Sequence, residues 1–204
     1  MSSYVTNPPS SITFLTDISS EEMHKVLMFL DNANEIVDEY FGLRTSFDIV
    51  ICSGSWEMEV QVISRRRQLP ILQYDDTKCV AMTDYRLQEI IIRYDTAKFG
   101  HYLHELIHGI LSKNHSQQLR EGLAWYFTLQ LTEPYRYVRP SYPSWVDQLY
   151  VYPVKRLARI VGDGFLKDFA LGKAFIHKNA LPNDVQDLFL PEELFYATKR
   201  RYYR

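Results

Sequence analysis

The chain predicts an α+β protein in which helical and extended segments are segregated rather than alternating. Three observations carry that expectation. A capped segment of helical period spans residues 19–42, apolar runs of period two lie between residues 47 and 94, and the pattern is helical again from Asp95 onward. With 204 residues the chain is long enough to bury roughly 70% of the surface its unfolded form exposes. We expect one domain over residues 1–204, with an upper α/β part over 1–96 and a helical lower part over 97–204.

Taken in order, residues 1–18 are polar, carry Pro8 and Pro9, and read as an extended lead-in. Ser19 followed by Glu22 forms a capping box. Met23, Val26, Leu27, Leu30, Ala33, Val37, Tyr40 and Phe41 then recur at helical spacing up to Gly42, which supplies the stop. Phe47, Ile49 and Ile51 alternate, as do Met58, Val60 and Val62, with Gly54 as the turn between them. Two more strands are expected near residues 78–84 and 88–94, the second holding Ile90, Ile91 and Ile92. Phe99, Leu103, Leu106, Ile107 and Ile110 then form one apolar face of a helix ending near Lys113. The next helix runs over 117–132 with Ser116 as its N-cap, and the proline- and aromatic-rich stretch 134–145 reads as a loop. Pro153 suits a first helical turn, and that helix continues to the break at Gly162, Asp163 and Gly164. Shorter helices follow, one of them from Pro191.

Composition excludes several function classes. A net charge of −2 gives no electrostatic reason to expect nucleic acid or an anionic membrane. Cys52 and Cys79 are too few for a disulfide framework and read as reduced core thiols. No apolar run approaches the ~20 residues of a membrane helix, and the N-terminus lacks the pattern of a signal peptide, so a cytoplasmic location is expected.

Chemistry is concentrated in His104-Glu105-Leu106-Ile107-His108. Residues four apart on a helix lie about 40° apart around the axis and one turn along it, so both imidazoles can reach one ion. Glu105 is offset by one residue, where a carboxylate serves a metal-activated water as general base. The alternative is a helix with two surface histidines. Glu121, in Leu119-Arg120-Glu121-Gly122-Leu123-Ala124, follows after a turn at residues 113–116 and is the candidate third ligand. Taken alone, it would read as a solvent-facing acid near a helix N-terminus. Gly122 is expected to let this helix approach the histidine helix closely.

These residues resemble the gluzincin metallopeptidases, especially the small peptidase MA-like and minigluzincin members, over roughly residues 79–130. The resemblance implies a zincin-like fold, with the N-terminal helix and a mixed twisted sheet over the active-site helix and a helical C-terminal lobe. It implies one Zn2+ held by His104, His108 and Glu121, with Glu105 as base, and a peptide or protein substrate bound along an edge strand, for which residues 78–84 are the choice. A downstream tyrosine or histidine stabilises the oxyanion in such enzymes, which makes Tyr150, Tyr152 and His177 candidates, although most of the fifteen tyrosines must be structural. One departure stands out. Trp125 occupies the position where many gluzincins carry an acid bonded to a ligating histidine, so that support must come from elsewhere, a backbone carbonyl being one source.

His101 extends the stripe of His104 and His108 but is about 10 Å from His108 along the axis, and reads as a cleft-lip or surface residue. His115 falls in the turn after the histidine helix. Arg65, Arg66 and Arg67 read as an exposed turn, and residues 199–204 as a solvated helix end. The sequence therefore predicts a zinc-dependent hydrolase of peptide bonds, with no membrane and no nucleic-acid partner. The competing readings are a regulatory protease that cuts one partner, a non-catalytic zincin-like binding module, and a zinc-stabilised nucleic-acid binder using the basic tail.

Overall fold

The computed structural model describes residues 11–15, 17–54, 80–133 and 144–199, and the chain divides into two compact units, Met1–Gly109 and Ile110–Arg204. The protein is mixed α and β, predominantly helical, with one small mixed sheet. Among the described residues no helix is long and apolar enough to cross a membrane.

In the first unit, helix α1 spans Ser20–Phe41 and carries the caps that the sequence predicts. The Ser19 side chain accepts from the Glu22 backbone N–H at 3.2 Å, and the Glu22 carboxylate accepts from the Ser19 N–H at 3.1 Å. The Ser19 hydroxyl, which also donates to the Glu22 carboxylate at 2.8 Å, and then the Ser19 N–H hold the Glu22 carboxyl below its ordinary pKa. Gly42 ends the helix with φ +69°, a left-handed conformation that a side chain resists. Val26, Leu30, Ala33, Val37 and Phe41 form the buried stripe.

The sheet contains β1 (Ile12–Phe14), β2 (Asp48–Cys52), β3 (Ala81–Asp84) and β4 (Glu89–Arg93), in the order β1-β2-β4-β3. The lead-in, expected to be extended, supplies a paired strand: residues 12–14 run parallel with β2, Thr13 opposite Val50. Three residues are too short for period two to register. β2 and β4 are also parallel, and β3 returns antiparallel to β4 through a turn at residues 85–88. Both faces of β2 are buried from Ile49 to Cys52, as is usual for parallel strands. Ile49, Ile51, Ile90 and Ile92 are fully or almost fully buried, while Val50, Cys52 and Ile91 form a second cluster with Met82. The reduced, buried Cys52 agrees with its expectation. Cys79, the expected strand at 58–62 and the arginines at 65–67 lie outside the described residues.

Helix α2 spans Phe99–His108, five residues shorter than the expected end at Lys113. Its first turns pack on α1, with Phe29 edge-on to Phe99 at 5.9 Å and to Tyr102 at 5.5 Å. The C-cap is Gly109, where a Cβ would run into the Thr45 hydroxyl and lie 2.9 Å from the Thr45 Cβ, so only glycine fits.

The second unit begins with a turn and then α3 (Gln117–Thr132), capped by Ser116, whose side chain accepts from the Leu119 N–H at 3.2 Å. Residues 134–143 lie outside the described residues, but Ser144 and Trp145, expected in a loop, start helix α4 (Ser144–Val146). A π-helical turn over Asp147–Val151 joins it to α5 (Tyr152–Val161). Pro153 therefore lies inside a continuous helical run. Proline cannot donate and crowds the carbonyl four residues back; the wider turn just before it, with the Tyr152 N–H bonded to the Asp147 carbonyl, accommodates that. α6 (Asp163–Ala170), α7 (Asn183–Gln186) and α8 (Glu192–Lys199) follow, around a core that includes Leu119, Phe127, Leu157, Leu166, Leu188 and Phe195.

Replacing Gly109 with alanine is expected to destabilise the protein by about 1–3 kcal/mol, through overpacking against Thr45. Urea denaturation measures this, and a midpoint equal to wild type would show that the contact relaxes freely.

Candidate metal centre

Polar side chains in α2 are not where amphipathicity puts them. Every residue of this helix except His101 is buried, His104 and His108 being 6% and 3% exposed and Glu105 6%. The expectation of one packed face and one open face is thus corrected: α1 covers the helix on one side and the sheet supplies side chains to another.

The strand register explains how. Thr83 lies opposite Ile90 in the β3–β4 pair, so it shares the face of Ile90 rather than that of Ile91 and Met82. From that face its hydroxyl donates to Glu105 Oε2 at 2.6 Å. Tyr85 immediately follows the strand, two residues along, and its hydroxyl is 2.7 Å from His108 Nδ1. Strand β3 and its first turn residue thereby hold both Glu105 and one histidine. Neither residue stood out in the sequence; the available signal was a pair of hydroxyl side chains spaced two apart on a strand neighbouring the motif helix. Tyr85 also answers the gap left by Trp125, since the partner of His108 Nδ1 is a phenol rather than a backbone carbonyl.

The two imidazoles meet almost edge to face, at an interplanar angle of 86°, with Nε2 of His104 3.1 Å from Nε2 of His108. Two nitrogen lone pairs cannot face each other in a buried site without a proton or a cation between them. Glu121 is half-buried on α3, in the second unit. Donors ~2.0–2.1 Å from one tetrahedral zinc are about 3.3 Å apart, so the histidine pair fits that ion. Two imidazoles and a carboxylate also form a donor set that zinc favours.

Gly122 serves a different neighbour from the one expected. A Cβ there would lie 2.8 Å from Val154 Cγ2 and 3.1 Å from the Tyr150 carbonyl oxygen. The glycine thus admits the π-helical turn and the start of α5 against the helix that bears Glu121.

Of the candidate oxyanion donors, Tyr150 is buried, stacked on Phe195 at 5.8 Å, with its hydroxyl 3.2 Å from that of Tyr196. Burial raises the Tyr196 pKa; its bond to Tyr150 opposes this, and the charges of Glu192 and Glu121 raise it further. Tyr196, which did not stand out in the sequence, is thus a tyrosine that feels the charge of Glu121. Tyr152 is 60% exposed and lines an open groove with Asp147, Lys155 and Asp184. His177 is exposed and edge-on to Phe175.

His101 and His115 have structural partners. His101 is half-buried, and its Nδ1 accepts from the Lys98 N–H at 3.0 Å, so it caps α2. His115 Nε2 donates to the Phe169 carbonyl at 2.9 Å and ties the turn to the end of α6. Of the basic tail, residues 200–204 lie outside the described residues.

The chain matches no family model, no curated protein and no solved structure.

Burial, with the neighbouring His104 second, pushes the His101 pKa down to about 4. Between the unfolded value of about 6.5 and that folded value the unfolded chain binds more protons, so stability falls as pH drops through this window. We expect His101→Gln, which keeps the capping acceptor but cannot titrate, to match wild type at pH 7.5 and to exceed it at pH 5. Thermal unfolding of the metal-free proteins at both pH values checks this; an unchanged difference would show that His101 titrates normally.

Proposed function

We propose that this protein is a zinc-dependent hydrolase of the gluzincin kind, built on a zincin-type α+β fold, that cleaves peptide bonds. The observation that carries the reading is the 3.1 Å approach of the His104 and His108 Nε2 atoms, buried with Glu105 beside them, and Glu121 is the third ligand we assign. A bound zinc would supply Lewis acidity, polarising the substrate carbonyl and acidifying water.

The chain's own groups have distinct tasks in this reaction. Glu105 accepts a proton from the attacking water and returns it to the leaving amine. The Thr83 hydroxyl fixes one carboxylate oxygen at 2.6 Å, so the base is oriented before substrate arrives. Burial of Glu105 excludes bulk water, which strengthens the electrostatic influence of every charge near the reacting carbonyl.

A peptide is the favoured substrate because β3 is outermost on its side of the sheet among the described residues, and lies against α2. An extended chain can pair with such a strand through its backbone, which brings a carbonyl toward the histidine helix. A base is of no use to a purely structural zinc site, and this sets the enzyme reading above a binding module.

Two substitutions separate the roles. Glu121→Ala is expected to lose zinc on dialysis, and Glu105→Gln to retain it while peptide hydrolysis falls by at least about 100-fold. Metal analysis alongside cleavage of unstructured peptides provides the readout. Full zinc retention in Glu121→Ala would remove the third ligand, and full activity in Glu105→Gln would remove the base.

A further inference from the structure

Tyr85 makes a contact whose chemistry differs from that of a carboxylate in the same place. A carboxylate beside a histidine only accepts, which locks the imidazole with its proton on the near nitrogen. A phenol both donates and accepts. We propose that Tyr85 is the positioning residue for His108 and that its hydroxyl supports both imidazole tautomers, so the site is packed alike with and without its metal. The inference rests on the zinc reading above.

The geometry defines the two states. Tyr85 Oη is 2.7 Å from His108 Nδ1, and His108 Nε2 is 3.1 Å from His104 Nε2. In the metal-free protein the phenol donates to Nδ1, and His108 donates from Nε2 to His104. When both Nε2 atoms turn their lone pairs to a cation, the proton of His108 resides on Nδ1 and is donated to the Tyr85 oxygen. Loading therefore moves one proton across the His108 ring and reverses one hydrogen bond. No backbone shift is needed, and both ring nitrogens stay partnered in each state. A buried carboxylate in place of Tyr85 would add a negative charge to the metal-free site, which burial disfavours. The phenol avoids that charge at the expense of ligand basicity, which favours a metal that is held reversibly.

The test uses the full chain labelled with 15N-histidine, with zinc affinity measured by competition against a chromophoric chelator. Two-bond proton–nitrogen spectra report the His108 tautomer with and without zinc, and this wild-type measurement needs no variant. We expect the proton on Nε2 in the metal-free protein and on Nδ1 in the zinc form. Tyr85→Phe is expected to weaken zinc binding by about 10–100-fold and to leave metal-free His108 in mixed tautomers. Thr83→Val alters the same strand but touches Glu105, and is expected to keep the wild-type zinc affinity. The same His108 tautomer in both states, or wild-type affinity in Tyr85→Phe, overturns this inference and leaves the zinc reading standing. A wild-type chain that binds no zinc overturns both.

Discussion

Two imidazole nitrogens 3.1 Å apart in a site almost closed to water are the constraint from which the rest of the structure can be read. A buried polar atom without a partner is costly, and two lone pairs facing each other cost more still. Only a positive species between them, a proton or a metal ion, makes the arrangement favourable. The helix that holds both histidines is consequently covered on several sides: α1 packs on its first turns through Phe29, and β3 lends Thr83 and Tyr85 to its polar side chains. Its C-cap Gly109 is packed closely against Thr45.

Much of this was legible in the residues themselves. Ser19, Glu22 and Gly42 fix both ends of α1 because caps are local chemistry, decided by side chains within one turn of where they act. Spacing alone brings His104 and His108 together, since four residues make one helical turn. The triple isoleucine at residues 90–92 reads as a strand and is one, buried on both faces. Ser116 caps α3 for the same local reason that Ser19 caps α1.

What the sequence did not disclose was long-range. Thr83 and Tyr85 are ordinary residues until the register of β3 against β4 turns Thr83 toward Glu105 and the next turn brings Tyr85 to His108. Burial of α2 on nearly all sides could not be inferred from its amphipathic pattern, because polar residues that bond to one another count as exposed in any periodicity argument. Gly122 was correctly read as a site of close approach but assigned the wrong neighbour, since one glycine does not say which element comes near. Pro153 falls in the first turn of α5, as its fixed φ suggested, but nothing local announced the π-helical turn that runs into that helix. β1 is three residues long, below the reach of periodicity.

The account stands or falls on what lies between the two imidazoles. Zinc K-edge absorption on the purified, zinc-loaded protein tests it most directly. It should reveal two imidazoles, with oxygen donors filling the remaining positions at ~2.0–2.2 Å and no sulfur. A spectrum with sulfur scatterers, or one lacking the multiple scattering of imidazole, would contradict it.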